Sequence, residues 1–226
     1  MKSLEEKVIL ITGSSQGIGR ETAYLFAKEK AKIVITYRSN KKEAENTAKK
    51  CKQLGSREVL ALRIDVTDSK TIEAAIKEVV SRFGPIDILI NNAGVITWKQ
   101  LKEQSYSEID KQINTNLSGL IKTTKISLPF VKEAIINISS RSGQQGYPDL
   151  TTYCATKFGV RGFTKALACE TDLKVFSVNP PLTKTRMSDY QGISAKSVAE
   201  VILDTVKRSQ ELESGADIAV AKPKEK

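Results

Sequence analysis

Tyr153 and Lys157 stand four residues apart in the segment Tyr153-Cys154-Ala155-Thr156-Lys157. Side chains at that spacing project from one face of a helix, so the ammonium lies in the neighbourhood of the phenol. A free phenol, with a pKa of about 10, exchanges protons poorly at neutral pH. A nearby ammonium stabilises the phenolate and is expected to pull that value toward the working range. The chain contains no histidine, which removes Ser-His-Asp triads and most metal sites. Its three cysteines, Cys51, Cys154 and Cys169, show no C-x-x-C spacing; an odd number also argues against a disulfide framework. The groups left for proton transfer are Tyr, Lys, carboxylates and Cys. Spacing alone leaves the Tyr153–Lys157 pair open between an acid/base unit and an ordinary surface pair.

A second constellation lies near the start of the chain, Thr12-Gly13-Ser14-Ser15-Gln16-Gly17-Ile18-Gly19. It follows an apolar run and leads into an amphipathic segment. Glycines there let the chain turn tightly and let a pyrophosphate approach the backbone, with the free N–H groups of a helix start facing the anion. The spacing G-x-x-x-G-x-G differs from the G-x-G-x-x-G fingerprint. After the next apolar run, where a dinucleotide domain specific for NAD places an acid on the ribose hydroxyls, the sequence reads Tyr37-Arg38-Ser39-Asn40. Arg38 can make charge-assisted bonds to a 2′-phosphate and Ser39 can donate one more, whereas a carboxylate would repel that phosphate. The expected cofactor is therefore NADP(H) rather than NAD(H).

The elements that must position these residues are short Val- and Ile-rich strands alternating with helical segments. Strands are expected over 8–12, 33–37, 59–64, 86–91, 135–139, 175–179 and 217–221, and helices over 17–30, 41–54, 69–83, 113–131, 152–171 and 195–209. Strands apolar on both faces belong to a parallel sheet covered on both sides. Strict alternation then gives an α/β Rossmann-type fold: a doubly wound parallel sheet of about seven strands with right-handed crossovers, flanked by helices on both faces in a three-layer sandwich. No linker or repeat divides residues 1–226, which read as one domain carrying both cofactor and substrate sites. Ligands in such folds bind beyond the carboxyl ends of the strands.

Taken together, Thr12 to Gly19, Asn91-Asn92-Ala93-Gly94, Asn116, Ser140 and the Tyr153/Lys157 pair come in the order and spacing of the short-chain dehydrogenase/reductase family. The resemblance runs from Lys7 to about Ala221 and is closest to the classical branch, near 3-oxoacyl-acyl-carrier-protein reductases and related carbonyl reductases. It implies that Tyr153 is the catalytic acid/base and that Lys157 lowers its pKa and holds the nicotinamide ribose. It also implies that Ser140, rather than Ser139, binds the substrate oxygen. Asn116, favoured over Asn114 by the following Leu117-Ser118-Gly119, would hold a water in a proton relay. Asp65 and Val66 would contact adenine, and Asn92, Ala93 and Gly94 would pass beside the adenine ribose. Gly13, Ser15, Gln16, Gly17, Ile18 and Gly19 would form the phosphate turn. Pro180, Thr183 and Thr185 would grip the carboxamide.

Two departures stand out. Pro181 occupies a position where the family commonly has Gly, removing an N–H and fixing φ. Gln16 stands where NADP-preferring relatives often carry a basic residue. Between Thr185 and Ala195 few residues remain for a substrate lid; Met187, Tyr190 and Ile193 can form a short apolar lip or a simple loop. The resemblance further implies hydride transfer between NADPH and a ketone or secondary alcohol by a homotetramer or homodimer. The competing reading is a catalytically idle NADP-binding sensor or regulatory protein.

The formal charge is +10. Its lysines are interspersed with Glu along helical segments, as at Lys41, Lys42, Glu43 and Glu45, which is the pattern of solvated helix faces and of a field attracting an anionic cofactor. No nucleic-acid partner is expected. The polar segment from Met1 to Lys7 has no signal-peptide core, and no apolar run approaches the roughly 20 residues that span a bilayer. The expected partner is a small carbonyl or alcohol substrate, with no membrane and no metal, in the cytoplasm.

Overall fold

The computed structural model describes residues 3–221; the parts of the 1–226 domain reading at 1–2 and 222–226 lie outside the described residues. Seven strands form one parallel sheet in the order β3-β2-β1-β4-β5-β6-β7. They are β1 (Val8–Ile11), β2 (Lys32–Tyr37), β3 (Val59–Arg63), β4 (Ile86–Asn91), β5 (Val131–Ile138), β6 (Lys174–Asn179) and β7 (Asp217–Ala219). The helices are α1 (Gly17–Lys28), α2 (Lys41–Leu54), α3 (Ser69–Phe83), α4 (Tyr106–Ile113), α5 (Gly119–Ser127), α6 (Thr151–Glu170) and α7 (Ala195–Lys207). The expected α/β doubly wound sheet is what the chain forms.

Alternation along each strand divides the core in two. Ile9, Ile11, Ile33, Ile35, Ile88, Ile90, Ile136 and Phe176 pack with residues of α1, α2 and α7, including Phe26, Cys51 and Ile202. Val8, Leu10, Val34, Leu89, Ile135 and Val175 pack on the other face against Ile72, Ile76 and Val79 of α3 and Leu167 of α6. Burying each such aliphatic side chain contributes roughly 1.5–3 kcal/mol. Side-chain caps fix where helices begin: Asn40 accepts from Glu43 N at the start of α2, and Asp68 accepts from Lys70 N at α3. The direction of strand addition reverses between β1 and β4, which pair in parallel. That crevice is where the residues singled out above converge.

The sharpest difference from expectation is the helix placed over 113–131. The helical run begins earlier, at Tyr106, where Ser105 and Glu108 form a reciprocal capping box. It widens into a π turn over Asn114–Ser118, continues as α5, and ends in a 3-10 turn, Leu128–Phe130. Pro129 cannot continue an α-helix. β5 therefore starts at Val131, four residues before the expected strand. Lys132 and Glu133 interrupt the apolar pattern there, but Glu133 pairs with Lys7 at 2.8 Å. The first helix stops at Lys28 rather than Lys30, because Lys30 adopts a left-handed φ of 61°.

Candidate active site

A cleft of about 1310 Å³ opens along the carboxyl ends of the strands. At one end is the turn between β1 and α1. Gly13 and Gly17 have φ of 63° and 57°, a region that only glycine enters freely. Asn92 N and Ala93 N donate to Thr12 Oγ1 at 2.8 and 3.0 Å, and Asn92 Nδ2 donates to the carbonyls of Thr12 and Gly13. The segment after β4 thus buttresses the glycine turn from beneath. Gly13 N donates to Thr36 Oγ1, and Thr36 N donates to Ser14 Oγ, tying the turn to the end of β2. At the start of α1, Gln16 provides no side-chain cap, so the first-turn N–H groups are left for an anion in the cleft.

Ser15, Gln16, Gly17 and Ile18 line this end with Arg38, Ser39, Asp65 and Val66. The Asp65 carboxyl sits below its ordinary range. Partial burial pushes it up, but bonds from the Thr67 hydroxyl and N–H, helped by the nearby Arg38 and Arg63 guanidiniums, outweigh that. Its side chain therefore closes a local turn on Thr67. Gly19 does not line the cleft. A Cβ there would lie 2.6 Å from Asn92 Nδ2 and 2.9 Å from Gly13 O, so this glycine permits close packing of the turn instead of touching a ligand.

At the other end, Ser140, Tyr153 and Lys157 meet. Tyr153 and Lys157 are buried on α6, with 8% and 5% of their surface exposed. Lys157 Nζ lies 5.6 Å from the centre of the Tyr153 ring and donates to Ile138 O at 2.8 Å. Ser140 begins the turn after β5, accepts from Ser142 N at 3.1 Å and shares a hydrogen bond with Tyr153. Ser139 Oγ donates to Lys157 O at 2.9 Å, the structural part expected of it. Two more contacts hold the Ser140 turn: Arg141 N donates to Pro180 O at 2.8 Å, and Arg161 Nη1 donates to Gly143 O. Arg161 is itself gripped at two points by Asp217 of β7.

The electrostatics correct one expectation. Burial pushes the Tyr153 phenol up to about 12, opposed by its bond to Ser140. Burial also brings the Lys157 ammonium down from 10.5 to about 8. Desolvation of both buried groups outweighs the pull of the ammonium on the phenol in the folded chain. At neutral pH the phenol holds its proton, the state required of a donor, while the ammonium beside it still carries charge.

Asn116 sits behind the cleft wall, beside Gly94. It lies in the π turn, 1% exposed, outside the cleft lining. Its amide donates to Val95 O at 2.8 Å and to Thr156 Oγ1 at 3.2 Å, and its oxygen accepts from Val95 N at 2.8 Å. The side chain is fully engaged as a strut between the post-β4 segment and α6.

Pro180, Thr183 and Thr185 line the cleft as expected, as do Asn92, Ala93 and Gly94. The Thr183 hydroxyl donates to Pro181 O at 2.7 Å, and the Thr185 hydroxyl accepts from Met187 N. Beyond Pro181 the chain folds back on itself: Ile193 N donates to Leu182 O, Lys184 N donates to Ile193 O, and Gly192 takes a φ of 100°. Met187 and Tyr190 line the cleft, whereas Ile193 packs into the core under α1 and α7. The lip is therefore two residues, not three. Sequence reasoning missed Ile96, Trp98, Tyr147 and Arg20, which also line the cleft. The rule that ligands sit beyond strand ends pointed to Ile96 and Trp98, a few residues past β4; nothing local pointed to Tyr147. Among the described residues, no group of His, Cys, Asp and Glu could hold a metal ion.

A doubly wound sheet, an uncapped glycine turn at its switch point and a buried Tyr-Lys pair facing Ser140 define a Rossmann-type dinucleotide-binding oxidoreductase. The short chain dehydrogenase family model matches residues 7–194, and the chain belongs to that family. It is 35% identical over 204 residues to the 3-oxoacyl-acyl-carrier-protein reductase of Staphylococcus aureus, covering 88% of this chain and 82% of the relative. It is also 35% identical over 198 residues to the 3-ketodihydrosphingosine reductase of Bacteroides thetaiotaomicron, covering 84% of this chain and 69% of the relative. A solved short chain dehydrogenase from Burkholderia cenocepacia in complex with NADP superposes with a TM-score of 0.90 at 25% identity, covering 97% of this chain and 98% of that one. No helix among the described residues is long and apolar enough to cross a membrane.

Proposed function

We propose that this protein reduces a ketone to a secondary alcohol, or runs the reverse reaction, with NADP(H), using one domain for both cofactor and substrate. The observation that carries the reading is the convergence of Ser140, Tyr153 and Lys157 in the same cleft as the uncapped α1 turn and Arg38. The residues fit a dinucleotide. The first-turn N–H groups suit a pyrophosphate, Gly13 and Gly17 keep the turn free of side chains, and the exposed Arg38 with Ser39 suits a 2′-phosphate. The bound nicotinamide supplies or accepts the hydride. On the protein side, Ser140 Oγ hydrogen-bonds the substrate oxygen and Tyr153 Oη delivers its proton to that oxygen in the reducing direction. Lys157 places positive charge beside the phenolate that results, which lowers the cost of losing the proton. Ile96, Trp98, Tyr147, Met187 and Tyr190 give the substrate end an apolar and aromatic wall that favours a substrate with an apolar body. Exposed Tyr106, Ile113, Ile121 and Phe158 on α4, α5 and α6 support assembly as a homodimer or homotetramer.

The test is a panel of 3-oxoacyl thioesters, diketones, sugars and steroids, run with NADPH and with NADH, alongside Tyr153→Phe. Turnover of a ketone, faster with NADPH, is expected. Loss of a general acid should cut kcat by about 10²–10⁴-fold in the variant, with NADPH affinity retained. If no carbonyl compound is turned over, or if Tyr153→Phe turns over like the parent, the reading fails.

A further inference from the structure

The stretch from Val95 to Gln104 runs between β4 and α4 without α or strand structure, apart from the short 3-10 turn Leu101–Glu103. It nevertheless supplies Ile96 and Trp98 to the cleft wall. Ile96 packs against the cluster formed by Leu150, Tyr153 and Cys154, and Trp98 Nε1 donates to Met187 O at 3.1 Å, bridging to the lip. What holds such a segment is a closed set of side-chain bonds. Thr97 N donates to Gln112 Oε1 at 3.2 Å; Gln112 Nε2 donates to Gln104 Oε1 at 3.3 Å and to Glu108 O at 3.2 Å. Thr152 Oγ1 donates to the same Gln104 oxygen at 2.8 Å, and Gln104 Nε2 donates to Lys99 O at 2.9 Å. Gln112 is fully buried and Gln104 is 9% exposed.

Donor and acceptor types force this arrangement. The Thr97 N–H can only donate, so the oxygen of Gln112 must face it and its NH₂ must face Gln104. Gln104 must then present its oxygen, which also receives the Thr152 hydroxyl, and its own NH₂ is left for the Lys99 carbonyl. A buried polar network satisfied at every member specifies one conformation, because any rearrangement strands a buried group. One end of the network meets the cleft-wall loop and the other meets the residue next to Tyr153.

We infer that Gln112 and Gln104 are positioning residues that fix the Val95–Gln104 loop against the start of α6, and so set the width of the substrate end of the cleft. The effect on substrate rests on the reductase reading; the effect on the loop does not. Trp98 is the chain's single tryptophan, so its fluorescence reports the loop directly. In Gln112→Met, which keeps the volume and removes the bonds, acrylamide quenching of Trp98, half-exposed in the parent, should rise as the wall loosens. In the same variant, KM for a bulky apolar ketone should rise about tenfold, the scale of one lost buried hydrogen-bond set. NADPH affinity and the pH profile of kcat should be unchanged. Thr152→Val, which removes only the hydroxyl, should shift both readouts in the same direction by about half on the energy scale. Unchanged quenching in both variants while they remain folded would overturn the inference. So would an equal loss of NADPH and ketone affinity. If the parent turns over no ketone, the reductase reading falls, and the quenching experiment still decides the role of the two glutamines.

Discussion

Replacing Lys157 with Met should reverse how the stability of this protein responds to alkali. Burial brings the Lys157 ammonium from 10.5 to about 8 in the folded chain. Between those values the unfolded chain holds more protons, so this residue makes stability rise with pH. Integrated from pH 8 to pH 10, the gain is about 2 kcal/mol. Two other buried groups act the opposite way. Burial raises Cys51 from 9.0 to about 12 and Tyr153 from 10.0 to about 12, so the folded chain retains protons that the unfolded chain releases. Over the same window they cost about 1.4 and about 0.4 kcal/mol. The three nearly cancel in the parent. In Lys157→Met only the losses remain, and the variant should lose about 2 kcal/mol relative to the parent between pH 8 and pH 10. The remaining titrating groups are shared by both proteins and cancel in the difference. Urea unfolding at the two pH values measures this directly, and parallel pH dependences in the two proteins would refute the argument. The sign carries a functional point. Below about pH 8 the ammonium is charged and its burial costs stability, which fits the role proposed for Lys157 beside the reacting phenol.

Three further outcomes follow from the cleft. Arg38→Asp should lower the NADPH-to-NADH ratio of kcat/KM by at least about tenfold, since a charge-assisted bond to the 2′-phosphate is replaced by repulsion; an unchanged ratio would remove Arg38 from cofactor choice. Gly19→Ala forces a methyl to within 2.6 Å of Asn92 Nδ2 and 2.9 Å of Gly13 O. It should destabilise the fold by about 1–3 kcal/mol and weaken NADPH binding, both readable by thermal unfolding with and without NADPH. Asp217→Asn removes the ion pair that holds Arg161 against the Ser140 turn, and should lower kcat more than it raises the KM for NADPH.

The sheet was legible because parallel strands buried on both faces are written as unbroken runs of Val, Ile and Leu, as in Val8 to Ile11 and Ile88 to Ile90. Where that condition lapsed, so did the reading. In β5, Lys132 and Glu133 follow the buried Val131 and break the apolar run, so only Ile135 onward reads as a strand. The preceding helix was misplaced for a related reason. Asn114-Thr115-Asn116 has weak helix propensity and reads as a helix start, yet it occupies the middle of a longer helical run as a π turn. The capping box at Ser105 and Glu108 was the signal that would have set the start correctly.

Within the site, residue type and spacing identified which groups share the cleft but not how their bonds are spent. Tyr153 and Lys157 do lie on one face of α6, and that is all a separation of four can fix. How far the ammonium lowers the phenol depends on how much water the two groups lose, and their burial beside β5, where Ile138 O, nineteen residues away, accepts from the ammonium, is set only by the folded chain. Asn116 shows the same gap. Its position beside the cleft follows from chain order, while the use of its whole amide between Val95 and Thr156 depends on partners that converge only in the folded chain. Short-range pattern therefore selects the acid/base candidates, and long-range hydrogen bonding decides which of them face the substrate and which brace the ones that do.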